Sequence, residues 1–221
     1  MNSKVLVGGT VGVVIIAVFI VVFMNQSNGI EDIATEFDEA PSIEGQPVLG
    51  DETAPIQVIE FGDYKCPSCK AWDETVFPRL QEEYIDTGIV QFVHINTPFH
   101  GGESVLAAQA SESVWDRQPE AFWDFHKEIY RNQPESQQHD EQWVTREKLL
   151  EIAESVDSSI DLETLSEDIE DQAYESEIGI DVELINRFEV TQTPTIMVNN
   201  YKVTNPFEYD SIVDLIEMER E

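Results

Sequence analysis

Two cysteines placed at the mouth of a helix constrain this chain more than any other feature. They are Cys66 and Cys69, and they lie in the stretch IQVIEFGDYKCPSCKAW, residues 56–72. An apolar run (Ile56, Val58, Ile59, Phe61) leads into a short polar turn, and residues compatible with a helix follow. A strand feeding a helix whose first turn carries C-x-x-C is the pattern of a redox site. Proline suits the first helical position, so Pro67 puts Cys66 at or next to the N-cap. There, unpaired N–H groups and the positive end of the helix dipole favour a thiolate. Lys65 and Lys70 flank the motif in a chain that has only 12 Lys and Arg. Cys69 falls one turn further in, within reach of Cys66 and expected to be less exposed.

Two rival uses of the motif are weaker. A structural zinc site takes four Cys or His ligands. The histidines here (His94, His100, His126, His139) are scattered, and none forms an H-x3–5-H pair. A plain structural staple across so short a loop constrains the unfolded chain by only about 2 kcal/mol. The strand, the proline and the helix all favour redox chemistry instead.

Residues 5–23 carry no charge. That run is close to the roughly 20 residues that cross a bilayer and exceeds the roughly 7–15 of a signal-peptide core. Met24, Asn25 and Gln26 follow, without a small-x-small cleavage site. Residues 1–24 are therefore expected to be an uncleaved N-terminal transmembrane anchor, with a long cleaved signal peptide as the alternative. Lys4 precedes the run and Glu31 and Asp32 follow it. The positive-inside bias then leaves the N-terminus in the cytoplasm and the rest outside, as a single-pass protein of the cell membrane. Disulfides persist in that outer compartment.

The net charge is −33, from 12 basic and 45 acidic residues. Nucleic acid and anionic membrane surfaces are therefore poor partners for the body of the protein, and no nucleic acid is expected. So acidic a surface fits a salty or alkaline habitat as well as an ordinary solvated face. No segment has the D-x-[DN]-x-[DN]-G form of a calcium loop, so the sequence names no metal site.

Residues 25–49 are polar, acidic and broken by Gly29, Pro41, Gly45 and Pro47. They are expected to form a stalk, with the folded domain at 50–221 beginning near Pro47 or Gly50. The run 56–61 does not alternate, so it predicts a central strand buried on both faces. Trp72, Val76, Leu80 and Tyr84 share one face of the next helix, which Pro78 should kink. Gly88 ends that unit and 89–95 is the next strand, which fits a right-handed parallel crossover.

The pattern from about 103 to 177 is helical. Phe122, Phe125, His126, Ile129 and Tyr130 fall at i, i+3, i+4, i+7 and i+8, which makes the stripe core and His126 a packed core histidine. The polar run 132–142 is a link between helices. Asp181 is expected to cap a helix over 181–188. Residues 195–198 and 201–204 form a hairpin about Asn199 and Asn200, and a last helix spans 209–219. The order is that of an α/β, thioredoxin-like fold with an all-helical insertion at about 103–177, plus the N-terminal transmembrane helix.

The blocks PVLGDETAP (47–55), EFGDYKCPSC (60–69), FWDFH (122–126) and TQTPTI (191–196) carry a resemblance. The chain resembles the DsbA-like thiol:disulfide oxidoreductases, in particular their membrane-anchored BdbD type from Gram-positive bacteria. The resemblance covers roughly residues 47–217. It implies that Cys66 is the exposed attacking cysteine and Cys69 its buried partner. Thr193–Pro194 would be the cis-proline loop facing the disulfide, and Glu60 the buried acid that moves a proton to or from Cys69.

The resemblance implies no cofactor. The implied substrates are reduced exported proteins, and the implied acceptor for their electrons is a quinone-reducing membrane protein of DsbB/BdbC type. Two departures stand out. Pro67–Ser68 replaces the Pro-His of the strongest oxidants, so no imidazolium sits between the cysteines. Glu189 and Gln192 stand where many relatives have glycine. A reductase or isomerase of the same fold, and a non-catalytic surface binding domain, remain as alternative readings.

Overall fold

The computed structural model describes residues 29–135 and 142–220. The expected membrane span at 5–23 and the middle of the expected 132–142 link lie outside the described residues. Among the described residues no helix is long and apolar enough to cross a membrane.

Among the described residues six strands form one sheet: β1 Ala34–Glu36, β2 Val48–Leu49, β3 Ile56–Gly62, β4 Val90–Asn96, β5 Thr195–Val198 and β6 Tyr201–Val203. Their spatial order is β1-β6-β5-β3-β4-β2. β3 runs parallel to β4, with Ile56 opposite Val90 and Glu60 opposite His94. β5 returns antiparallel on the other side of β3. β3 is central, as its non-alternating apolar pattern predicts, and both of its faces are covered.

On one face Ile56, Val58, Val90 and Phe92 pack with Trp72, Leu80, Ile212 and Leu215. These partners come from α1 (Pro67–Thr75), α2 (Phe77–Leu80) and the last helix, α8 (Tyr209–Glu219). On the other face Ile59, Phe61, Val93 and Ile95 meet Leu184, Ile185 and Phe188, from and just beyond α7 (Glu175–Arg187).

The expected kink is present and sharp. α1 stops at Thr75, and α2 is a single turn that runs into a π-helical turn at Gln81–Ile85. Pro78 lacks the N–H that would have continued the ladder. Gly88 then turns the chain into β4 with φ of +74°.

The insertion consists of α3 (Gly102–Arg117), α4 (Pro119–Arg131), α5 (Arg146–Val156) and α6 (Leu162–Asp171). Phe122, Phe125, Ile129, Leu149, Ile152 and Leu165 form its core. That same core reaches Tyr64, Cys66 and Cys69, so the two sulfurs lie where the helical layer meets the sheet.

Two expectations are corrected. The stalk is partly built into the sheet: β1 pairs with β6, β2 pairs with β4, and Trp115 Nε1–H donates to the Gly45 carbonyl at 2.9 Å. Short strands that lean on a pre-formed edge need no periodicity of their own. Asp181 is not a cap either. It lies inside α7, fully buried, and accepts from Gln46 Nε2 at 2.7 Å.

Candidate active site

The redox turn is built by β3 ending at Gly62 and by Asp63 closing the chain back on itself. The Asp63 carbonyl accepts the Cys66 N–H at 2.9 Å, and the Cys66 carbonyl then accepts the N–H groups of Cys69 and Lys70, at 3.1 and 3.3 Å. Cys66 is the N-cap of α1 with Pro67 directly after it. Both cysteines are free thiols. Cys69 is fully buried, and Cys66 is more enclosed than an exposed attacking residue, at 5% exposure. What covers it is the loop ahead of β5. Cys66 Sγ donates to the Thr193 carbonyl at 3.3 Å, and the Thr193–Pro194 bond is cis. A cleft of about 260 Å³ runs beside that loop, lined by Thr35, Glu189, Thr191, Gln192 and Lys202.

The electrostatics separate the two sulfurs. The Cys66 pKa is lowered to about 5. Its largest cause is a hydrogen bond from the Cys69 thiol. Hydrogen bonds from the Thr193 side chain and the Cys69 and Ser68 N–H groups add to it, against the cost of burial. Cys69 is pushed well above its ordinary value by burial, then by that same bond to Cys66 and by the charge of Glu60. Lys65 contributes less than its position suggests, because its ammonium is closed onto Glu103 at 2.8 Å. Lys70 donates to the Gln133 carbonyl at 3.2 Å.

Glu60 reaches the face of the sheet beneath α1, buried at 1% exposure. Its Oε2 lies 3.3 Å from His94 Nδ1. Oε1 has no partner among the described residues. The Glu60 charge also reaches Asp73, whose pKa rises to about 7 mainly through burial. The site residues read from the sequence therefore come together: Cys66 and Cys69 against Thr193–Pro194, with Glu60 below.

A family model described as Thioredoxin matches residues 42–218. Disulfide bond formation protein D of Bacillus subtilis is 45% identical over 179 residues, 81% of this chain and 79% of its own. The chain belongs to the DsbA-like thiol:disulfide oxidoreductases of the BdbD type. The crystal structure of oxidised BdbD from Bacillus subtilis superposes with a TM-score of 0.78 at 44% identity, over 84% of this chain and 97% of that one. DsbA of Chlamydia trachomatis gives 0.69 at 26% identity, over 79% and 91%. As a member of this family the chain is a protein thiol:disulfide oxidoreductase, and its fold is the thioredoxin-like DsbA fold.

Several residues of this BdbD-type site escaped the sequence reading. Gln133, 3% exposed, donates to the carbonyls of Tyr64 at 2.7 Å and Cys66 at 3.3 Å, which clamps the turn to the helical layer. Asp63 holds the turn from the other side. His126 is the core histidine expected, but it also has company: Tyr64 Oη lies 2.9 Å from its Nδ1, and its ring centroid is 4.6 Å from that of His94.

Glu60, His94 and His126 bring one oxygen and two nitrogens within 4.8 Å of one another. Those donors suit a transition metal, but zinc takes a fourth ligand, and all three side chains are closed to solvent. Gln46, Asn96, Glu112 and Asp181 form a second buried group. Asn96 Nδ2 donates to Glu112 Oε1 at 2.6 Å, and Gln46 Oε1 and Asp181 Oδ2 lack partners among the described residues. Such oxygens could hold a hard cation.

Proposed function

We propose that Cys66 is the attacking cysteine of an oxidase that introduces disulfides into exported proteins, with Cys69 as its resolving partner. A substrate thiolate attacks Cys66 of the oxidised pair. The Cys66–Cys69 bond breaks, Cys69 leaves with the electron pair and takes a proton, and a mixed disulfide remains. The second substrate thiolate then attacks the substrate sulfur and expels Cys66. The substrate departs oxidised, and the pair is left as a dithiol two electrons richer.

One observation carries this reading: a single thiol of the two, at a helix N-cap and against the Thr193 loop, is lowered to about pKa 5. A stabilised thiolate favours the reduced state and so makes the disulfide a better oxidant. Glu60 serves as the proton donor and acceptor for Cys69. Thr193 and Pro194 present backbone to the incoming peptide, which pairs there as an added strand.

The uncharged run at 5–23 anchors the protein, with its catalytic domain outside the cell membrane. A DsbB/BdbC-type quinone-reducing membrane protein takes up the electrons. Equilibration with a glutathione redox buffer tests the assignment. A couple clearly more oxidising than thioredoxin's, at about −270 mV, and abolished in Cys66→Ser, is the expected result. A couple at or below that potential would point to a reductase.

A further inference from the structure

The Asp63 carboxylate sits beside the redox turn with its side chain closed to solvent, and it gathers donors from the turn, the loop before α3 and α3 itself. Oδ1 accepts the Lys65 N–H at 2.8 Å. Oδ2 accepts the backbone N–H groups of Phe99 at 2.9 Å and His100 at 3.1 Å, and the Ser104 hydroxyl at 3.0 Å. His100 Nδ1 lies 2.7 Å from the same oxygen. The Asp63 carbonyl meanwhile accepts the Cys66 N–H. One residue thus joins the Cys66 turn to the loop between β4 and α3, and it brings an imidazole there from 37 positions away.

A buried carboxylate next to a thiol opposes the loss of the thiol proton unless a cation balances it. Lys65 is held away from that role, since its ammonium pairs with Glu103 on α3 at 2.8 Å. His100, its side chain 21% exposed, can take a proton from solvent and hold it on Asp63.

We propose that His100 is a positioning residue of the thiol exchange: held on Asp63 as an imidazolium, it cancels that carboxylate at the Cys66 turn and stabilises the Cys66 thiolate. It supplies from the β4–α3 loop the cation that Pro67–Ser68 does not supply between the cysteines. The hydrogen bond to Asp63 is the largest influence raising the His100 pKa; burial and the nearby charge of Lys65 oppose it, and the charges of Asp63 and Cys66 add to it. The charged groups acting here are Asp63, Cys66 and Lys65 on the turn, with Glu103 as the partner of Lys65. The consequence is a proton linked to redox state. When substrate thiols reduce the disulfide, charge appears on Cys66 and His100 holds its proton more tightly. When the disulfide returns, it holds that proton less tightly.

The inference rests on Cys66 being the ionising cysteine, so the experiment reads the two ideas separately. The chain of residues 1–221 in detergent is compared with its His100→Gln and His100→Lys variants. His100 is titrated by NMR in the oxidised and reduced wild-type protein. The Cys66 pKa is measured by thiolate absorbance, and alkylation mapping identifies the reacting sulfur.

His100 should titrate at higher pH in the reduced protein. His100→Gln should raise the Cys66 pKa by about one unit and weaken oxidation of glutathione up to about tenfold, or roughly 30 mV. His100→Lys should recover part of both. Identical His100 titration in the two redox states, or an unchanged Cys66 pKa in His100→Gln with Cys66 still reacting first, overturns the role of His100 alone. Alkylation of Cys69 ahead of Cys66 in the wild type overturns both. The titration needs only the wild-type protein, so a misfolded variant does not remove the test.

Discussion

The sulfur of Cys66 lies 3.3 Å from the carbonyl oxygen of Thr193, 127 positions along the chain. Thr193 acts on the thiol in two opposed ways. Its carbonyl accepts from the neutral S–H, while its side chain helps to lower the pKa. Thr193→Val keeps the carbonyl and removes the hydroxyl. The Cys66 pKa should then rise by up to about one unit, with the alkylation rate reduced at pH 5 and unchanged at pH 8. An unaltered rate at pH 5 would show that the hydroxyl plays no part.

The bond from Cys69 is the first cause of the low Cys66 pKa of about 5. Cys69→Ala should therefore move Cys66 back toward free cysteine, more than Thr193→Val does. The sign with pH follows from the lowered value. Thiolate stabilisation favours the reduced protein above about pH 5 and is lost as the pH falls through that point. At pH 7, about two units above it, the effect is roughly 3 kcal/mol, or about 60 mV for a two-electron couple. Cys69→Ala has no dithiol couple, so a thiolate absorbance titration of Cys66 is the measurement.

Glu60→Gln separates two roles for the buried acid. The Glu60 charge contributes to raising the Cys69 pKa. If that charge were its whole effect, the glutamine variant would ionise Cys69 more easily and resolve mixed disulfides faster. Proton transfer through Glu60 gives the opposite result, a slowing of about 100-fold or more in the step that uses Cys69. Stopped-flow resolution of a Cys66 mixed disulfide distinguishes them, and the alkylation rate of Cys66 should change far less.

Gly62 is the next position on the same face of β3. A Cβ there would sit 2.6 Å from His94 Cε1 and 3.0 Å from the Glu60 carboxyl carbon. Both side chains are buried and neither can swing outward. Gly62→Ala should cost about 1–3 kcal/mol in denaturant unfolding and also slow the Cys69 step, because Glu60 must move. Loss of stability without any slowing would argue against Glu60 in proton transfer.

The parts of this site that were legible in the sequence are those whose signal is local. The non-alternating apolar pattern of β3, Pro67 after Cys66, and the spacing of Phe122, Phe125 and Ile129 each announce an element within a few residues. What was not legible depends on distant partners. Nothing near His100 points to Asp63, 37 positions away. Asp181 has the look of a helix cap after Gly179, yet its side chain turns inward to Gln46, 135 positions distant. Lys65 looked like a free positive charge beside the motif until Glu103 closed on it.

The segment before residue 45 gives the last test, because a spacer and a sheet edge respond differently to removal. Ala34, Thr35 and Glu36 pair with Val203, Lys202 and Tyr201. The Phe37 N–H continues the ladder to the Asn200 carbonyl at 2.9 Å, and the Phe37 ring lies 5.3 Å from that of Phe188. A domain beginning at residue 45 loses these contacts and leaves β6 as an open edge. It should unfold about 2–4 kcal/mol more easily than one beginning at residue 29 and should associate more readily through the bared strand. The Cys66 pKa should be unchanged, since β1 is the far edge of the sheet from β3. Equal stability of the two domains in urea would return this segment to the role of a tether.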